Sequence, residues 1–295
     1  MKAIYFPDGS SPSLKARAIK GGTSALSSVA VRLVPKLTLK LSYNVLTNPF
    51  SRRSYDELAI DKNISVEHFE LEMGMGVIRG REYKSNCEKT VILTHGWGDT
   101  SRSFNSLVKT LVGKGYNVLV FDHIGHGRSD GKISHLFGFI EGLEAVIKYA
   151  LGRGHTIDAI VSHSMGGAAI LNLKSELLRN RKIILLSSPI SFFEDMVDKI
   201  TGMGINKKVL DNLLLDASQK HNRDWESLSP ALHKGKVDSN FLFIHDEEDP
   251  FCSFENIKKF VDGTEGNLIA TKELGHRRIL KDESVLSKIS EFLLS

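Results

Sequence analysis

The run Ala159-Ile160-Val161-Ser162-His163-Ser164-Met165-Gly166-Gly167 ends an apolar, β-branched stretch on a serine and follows it with two glycines. Ala168 to Leu173 then reads as a helix. A strand that turns abruptly into a helix through Ser-x-Gly-Gly lifts one hydroxyl off the sheet edge. Small neighbours are needed there because so tight a turn leaves no room for a Cβ at some positions. The helix N-terminus also aims unpaired backbone N–H groups at whatever sits beside that hydroxyl. The chemistry available to such a hydroxyl is nucleophilic attack, provided a neighbouring base takes its proton. Ser164 is therefore the candidate nucleophile. A strand followed by a glycine-rich helix start with an incidental serine would give the same local pattern, so the weight falls on the rest of the chain.

The elements that position this serine are legible as a rhythm. Thr90–Thr94, Asn117–Phe121, Ile157–Val161, Lys182–Leu186, Phe241–Ile244 and Asn267–Ala270 are short, nearly continuous apolar runs. Helical patterns separate them: Ser103–Lys114, Leu136–Leu151, Met165–Leu178, Phe254–Val261 and Glu283–Leu294. Apolar strands alternating with helices predict a parallel sheet covered on both faces, with its ligand beyond the carboxyl ends of the strands. Ahead of them, Val66–Leu71 and Val77–Tyr83 flank Gly74 and Gly76 and predict an antiparallel hairpin. Between Ser188 and Asn240 the rhythm breaks. Asp195–Ile200 and Lys208–Leu215 look helical, and 189–239 is read as a helical lid inserted into the domain.

Polar clusters fall where these strands stop: His95-Gly96-Trp97-Gly98-Asp99, Asp122-His123-Ile124-Gly125-His126, His245-Asp246-Glu247-Glu248-Asp249, and Gly275-His276. In this order and placement the chain resembles the α/β-hydrolases over roughly Val66 to Ser295. Ser-His-Ser-Met-Gly is a variant of the G-x-S-x-G elbow, with Ser162 in the first glycine's place and Gly166 in the second's. The resemblance implies the α/β-hydrolase fold, a mostly parallel central sheet with helices on both faces and a small helical lid. It implies His276 as the base for Ser164 and Asp249 as the acid that orients His276. Asp246, Glu247 and Glu248 crowd the same loop and stay in contention for the acid. The oxyanion donors it implies are the N–H groups of Met165 and Trp97. His163 adjoins the nucleophile, but successive side chains diverge at a strand end, so it is a poor base. His95 and His126 are read as loop braces.

The expected activity is a serine hydrolase cleaving a carboxylic ester or related acyl bond through an acyl-enzyme. Trp97, Phe192, Phe193, Met196 and Met203 suggest an apolar acyl pocket. The same triad would also serve a thioesterase, an acyltransferase or a carbon–carbon bond hydrolase, and the scaffold without chemistry would be a binding protein. No metal-ligand spacing appears, no G-x-G-x-x-G or G-K-[ST] loop appears, and basic residues are not interleaved with aromatics. A small-molecule substrate is expected, with no cofactor, no metal and no nucleic acid.

Across 295 residues, 41% hydrophobic and 25% charged, the composition suits one large globular domain. Cys87 and Cys252 are its two cysteines, too few and too far apart for a disulfide framework. With no secretory pattern at the N-terminus, a cytoplasmic location is expected. The net charge of +4 is uneven, because residues 1–60 hold nine Lys and Arg against three acids. Leu26, Val29, Ala30, Leu33, Leu37 and Leu41 recur there at helical spacing from Ser24 to about Asn48, with a kink at Pro35. Residues 1–60 are thus a basic, amphipathic arm ahead of a 61–295 hydrolase domain. The arm is read as docking on the core, with weak peripheral membrane contact as the alternative.

Overall fold

The structure, a computed structural model, describes residues 47–49, 58, 60, 64–85, 88–202 and 206–295. Nearly all of the arm, including the stretch up to Leu46 where a helix is expected, lies outside the described residues, as do Cys87 and Met203. Thr47 and Asn48, at the end of that helix pattern, are irregular. Among the described residues no helix is long and apolar enough to cross a membrane.

The expected hairpin is present as β1 (Ser65–Met73) and β2 (Gly76–Lys84), paired Ser65 to Lys84 through Met73 to Gly76. β2 then pairs antiparallel with β4 (Asn117–Asp122). β3 (Lys89–Thr94), β5 (Thr156–His163), β6 (Lys182–Leu186), β7 (Phe241–Asp246) and β8 (Asn267–Thr271) complete an eight-stranded sheet in the order β1-β2-β4-β3-β5-β6-β7-β8. From β4 onward every pairing is parallel.

Two-sided burial explains why these strands carry no polar alternation. Val91, Leu93, Val118, Val120 and Val161 face one apolar layer with Leu107 and Leu111 of α1 (Asn105–Gly113). Three residues of the closing helix, Val285, Leu286 and Ile289, join the same layer. The intervening Ile92, Leu119 and Ile160 are equally buried and point the other way. On that side run α2 (Leu136–Gly152) and α3 (Met165–Leu171), which pack on each other and against β5.

The expected helix from Met165 to Leu178 is shorter than the apolar pattern suggests. It stops at Leu171, and a 3-10 turn at Ser175–Leu177 follows. Asn172 turns its Nδ2 back onto the Ala168 carbonyl and meets His233 Nε2 at 3.0 Å through its Oδ1. The Lys236 ammonium takes the Leu171 and Leu173 carbonyls at 2.8 and 2.7 Å. Those carbonyls would otherwise have carried the helix onward.

Two compact units divide the chain. The larger is Thr47–Ile190 with Ser229–Ser295, and the described part of the smaller is 191–202 and 206–228. That smaller part is helical, as the sequence predicts, with α4 (Phe192–Gly202) and α5 (Lys207–His221) packed on each other. Asn206 caps α5 by accepting the Lys208 N–H at 2.9 Å. Phe193 meets the Trp225 ring edge-on at 5.2 Å between centroids. In the larger unit follow α6 (Phe254–Val261), the short α7 (Gly275–Arg278) and α8 (Glu283–Leu294). Ser253 and Asp282 cap α6 and α8, which fixes where those two helices begin.

Candidate active site

The expected triad and oxyanion residues lie in the larger unit, at the carboxyl ends of β3, β5, β7 and β8, whereas Phe192, Phe193 and Met196 of the expected acyl pocket lie in the smaller one. Ser164 follows β5 directly and adopts φ 52° and ψ −124°. A non-glycine residue in that region is strained, and here the surroundings hold it in place. Its N–H donates to the Leu186 carbonyl at 2.9 Å, and its carbonyl accepts the Gly167 N–H at 2.8 Å. Ser162, in the first glycine's place of the elbow pattern, is fully buried and donates its hydroxyl to the Ile184 carbonyl at 3.2 Å. A serine thus serves there by tying β5 to β6.

Gly166 is a steric requirement. A Cβ on it would stand 2.6 Å from the Thr94 carbonyl oxygen and 2.9 Å from that of His95. Both obstacles are backbone, so neither can swing aside. Gly166→Ala is expected to lower the unfolding free energy by about 2 kcal/mol, the usual range for overpacking. A urea midpoint unchanged from the parent would contradict this.

Gly96 makes the second close approach. Its Cβ position lies 2.6 Å from the Cβ of Ser164, so the loop after β3 runs directly against the nucleophile. Next in that loop is Trp97. Neither its N–H nor that of Met165 has an acceptor among the described residues. Two uncommitted amides therefore flank the loop and the helix start beside one hydroxyl.

Ser164, His276 and Asp249 come together. The Ser164 hydroxyl is 3.1 Å from His276 Nε2, and His276 Nδ1 is 2.8 Å from Asp249 Oδ2. The partners assign the proton: Nδ1–H donates to the carboxylate, which leaves Nε2 free to accept from Ser164. The Asp249 side chain is fully buried, and its other oxygen accepts the Phe251 and Cys252 N–H groups at 2.8 and 3.1 Å. Burial is the largest influence on Asp249 and opposes its ionisation. Hydrogen bonding and charge from His276, with the two backbone donors, outweigh it and hold the carboxyl below its ordinary value.

The other acids of that loop are otherwise engaged. Asp246 accepts from Thr271 Oγ1 at 2.8 Å, the Leu274 N–H at 3.0 Å and the Glu248 N–H at 3.1 Å. It ties β7 to the segment that delivers His276. Glu247 pairs with Lys272 at 3.3 Å on the surface, and Glu248 is exposed.

The histidines near Ser164 are spoken for in different ways. His95 Nδ1–H donates to the Gly96 carbonyl at 2.7 Å and its Nε2 accepts the His123 N–H at 3.0 Å. His126 Nδ1–H donates to the Ile124 carbonyl at 3.1 Å, and its Nε2 accepts the Gly98 N–H at 3.1 Å. Both rings thus brace the loop that carries Trp97. Burial pushes His123 and His126 well below the ordinary histidine value, with like charge from His95 adding to it.

His163 does something the sequence did not suggest. Its ring lies 4.7 Å from that of His276, and its Nε2–H donates to the His276 backbone carbonyl at 2.7 Å. Its Nδ1 is buried without a partner among the described residues. Burial and the neighbouring His276 push it down to about 3, so it stays neutral. The signal available in the sequence was position alone, one residue before the nucleophile at the end of β5.

Comparison with known proteins bears on the family and the fold. Residues 85–234, just over half of the chain, match the family model described as "Serine aminopeptidase, S33". A monoacylglycerol lipase of Mycolicibacterium smegmatis is 28% identical over 163 residues, covering 50% of this chain and 57% of that protein. An acyl transferase of Photobacterium leiognathi is 24% identical over 217 residues, covering 66% of this chain and 67% of its own. The alignments thus span about half to two thirds of these relatives. Among solved structures, the esterase Pf2001 of Pyrococcus furiosus superposes with a TM-score of 0.65 at 20% identity, over 84% of this chain and 96% of that one. Est1E of Butyrivibrio proteoclasticus, solved with ferulic acid bound, gives 0.57 at 19% identity, over 77% of this chain and 98% of that one. These likenesses extend the shared fold beyond the matched residues, and the chain belongs to the S33 serine aminopeptidase family of α/β-hydrolases.

Proposed function

We propose that the protein is a serine hydrolase that cleaves a carboxylic ester or related acyl bond. The observation that carries this reading is the unbroken relay from Ser164 through His276 to Asp249, at 3.1 and 2.8 Å. Ser164 Oγ attacks the substrate carbonyl as His276 Nε2 takes its proton. Asp249 holds the imidazole in the required tautomer and stabilises the imidazolium. The oxyanion rests on the N–H groups of Met165 and Trp97. His276 then protonates the leaving alcohol, and a water deprotonated by the same nitrogen releases the acid from the acyl-enzyme. No step needs a metal or cofactor. The lipase and esterase names borne by the relatives and structural neighbours support an ester as the scissile group.

The test is a panel of p-nitrophenyl esters of graded chain length, matched against thioesters and anilides. Esters should turn over fastest. An apolar acyl group is the expectation drawn from Trp97, Phe192 and Met196 in the sequence, so the rate should rise from acetate to longer chains. Turnover of anilides alone would overturn the ester assignment. The likeness to an acyl transferase favours a second reading, in which an alcohol rather than water takes the acyl group. Added methanol would then convert product acid into methyl ester in preference to hydrolysis.

His163 enters this mechanism as a positioning residue. Its bond to the His276 carbonyl fixes the backbone that carries the base. His163→Leu should lower kcat about tenfold, the worth of one hydrogen bond at the transition state, with KM little changed. His163→Gln keeps an N–H donor at a similar reach and should restore most of the rate. Equal losses in both variants would reduce His163 to a packing role.

A further inference from the structure

We propose that Asp249, Cys252 and His276 form an inhibitory site for a thiophilic divalent cation such as Zn2+ or Cd2+. Among the described residues these three offer one ligand atom each, all within 4.8 Å of one another. Nitrogen, oxygen and sulfur are the donors that zinc takes in proteins. Tetrahedral zinc sets such donors about 3.3–3.8 Å apart, so the thiol must close in while His276 Nδ1 and Asp249 Oδ2, now 2.8 Å apart, open by about half an ångström as their hydrogen bond is given up to the cation.

The surrounding loop is already built. Cys252 gives its N–H to Asp249 Oδ1 at 3.1 Å and its carbonyl accepts His245 Nε2–H at 2.9 Å. The carboxylate is thereby clamped by one oxygen, while Oδ2 is turned toward His276. His245 Nε2 lies 3.7 Å from that same Oδ2. Partners of this kind orient metal ligands and raise affinity. The thiol is in no disulfide and is buried, and it adjoins His276, which is 11% exposed at its side chain.

Binding has a definite chemical consequence. The cation takes the Nδ1 lone pair of His276, the Cys252 thiolate and Asp249 Oδ2. The thiol proton leaves to solvent. The single proton of the neutral imidazole, which had sat on Nδ1, now sits on Nε2. An Nε2–H cannot accept the proton of Ser164. The cation thus stops the reaction by fixing the wrong tautomer. The inhibition rests on the hydrolase reading above, whereas the binding does not.

The experiment titrates the full chain with Cd2+ alone and follows the ultraviolet thiolate-to-cadmium absorption. The expected band saturates at one Cd2+ per chain, persists in Cys87→Ser and vanishes in Cys252→Ser. In His276→Gln, which keeps the thiol, half-saturation should need at least ten times more Cd2+. Zn2+ should slow ester turnover in the parent, reversibly by EDTA. It should do so at least tenfold less potently in Cys252→Ser, each variant normalised to its own metal-free rate. A band that survives in Cys252→Ser, or an unchanged Cd2+ affinity in His276→Gln, overturns the site. Equal Zn2+ potency in both proteins overturns the mode of inhibition. If no ester is turned over, the absorption titration still decides the binding while the hydrolase reading alone fails.

Discussion

Ser164→Ala should lose about ten-thousand-fold to a million-fold in kcat toward an activated ester, the scale seen when a triad nucleophile is removed. KM should change little, because the hydroxyl acts on the transition state and not on ground-state binding. Thermal stability should stay close to the parent's. Alanine at φ 52° carries the same Cβ as serine, so the strained turn is neither relieved nor worsened. The measurements are turnover of p-nitrophenyl butyrate, labelling by a serine-reactive fluorophosphonate, and a melting curve. Undiminished turnover, or labelling that persists in the folded variant, would refute the nucleophile. Absence of labelling in the parent would favour a binding protein on the same scaffold.

The second large effect is on stability. His123, His126 and His163 are buried and held neutral, each with its titration pushed down by burial first and by neighbouring histidines second. In the unfolded chain each titrates near the ordinary 6.5. Below that value the unfolded state takes up protons that the folded state refuses, so the unfolding free energy falls as pH falls. The loss starts near pH 6.5 and for His163 continues to about 3. For His163 that loss is about 2 kcal/mol between pH 7 and pH 5, and His123 and His126 add to it in the same direction. Asp249 acts in the same direction, but only below the ordinary carboxylate range. Urea denaturation at pH 7, 6 and 5 checks this, with His163→Gln expected to flatten the profile by one histidine's share. A stability unchanged from pH 7 to pH 5 would show that these rings take up protons in the folded protein as they do in the unfolded chain.

The acid-sensitive rings also show what was legible in the chain. Strands β3 to β8 could be read because two-sided burial writes itself as unbroken apolar runs, and α6 and α8 because Ser253 and Asp282 announce their starts. The elbow was legible because few residues fit it, and Gly166 is fixed by two carbonyls it nearly touches. The end of α3 was not. Leu171, Leu173, Leu177 and Leu178 prolong the apolar pattern, while His233 and Lys236, about sixty residues away, stop the helix. The resemblance implied Asp249 as the acid, but the residues alone left four acids of one loop in contention. Asp246 and Asp249 differ in what they face, and the partners of Asp246 come from Thr271 and Leu274 across the sheet edge. The same holds for His163, whose acceptor is a backbone carbonyl 113 positions along the chain. Local pattern encodes elements, whereas long-range pairing assigns tasks to otherwise similar side chains.

The connection between β6 and β7 contains none of Ser164, Asp249, His276, Trp97 or Met165. Its two ends are anchored in neighbouring parallel strands, with Ile183 opposite Phe241 and Leu186 opposite Ile244. A replacement segment of another length or composition would inherit the same two moorings. Descendants of such a chain are free to trade that stretch wholesale and drift in diet, while the reacting atoms are inherited unaltered.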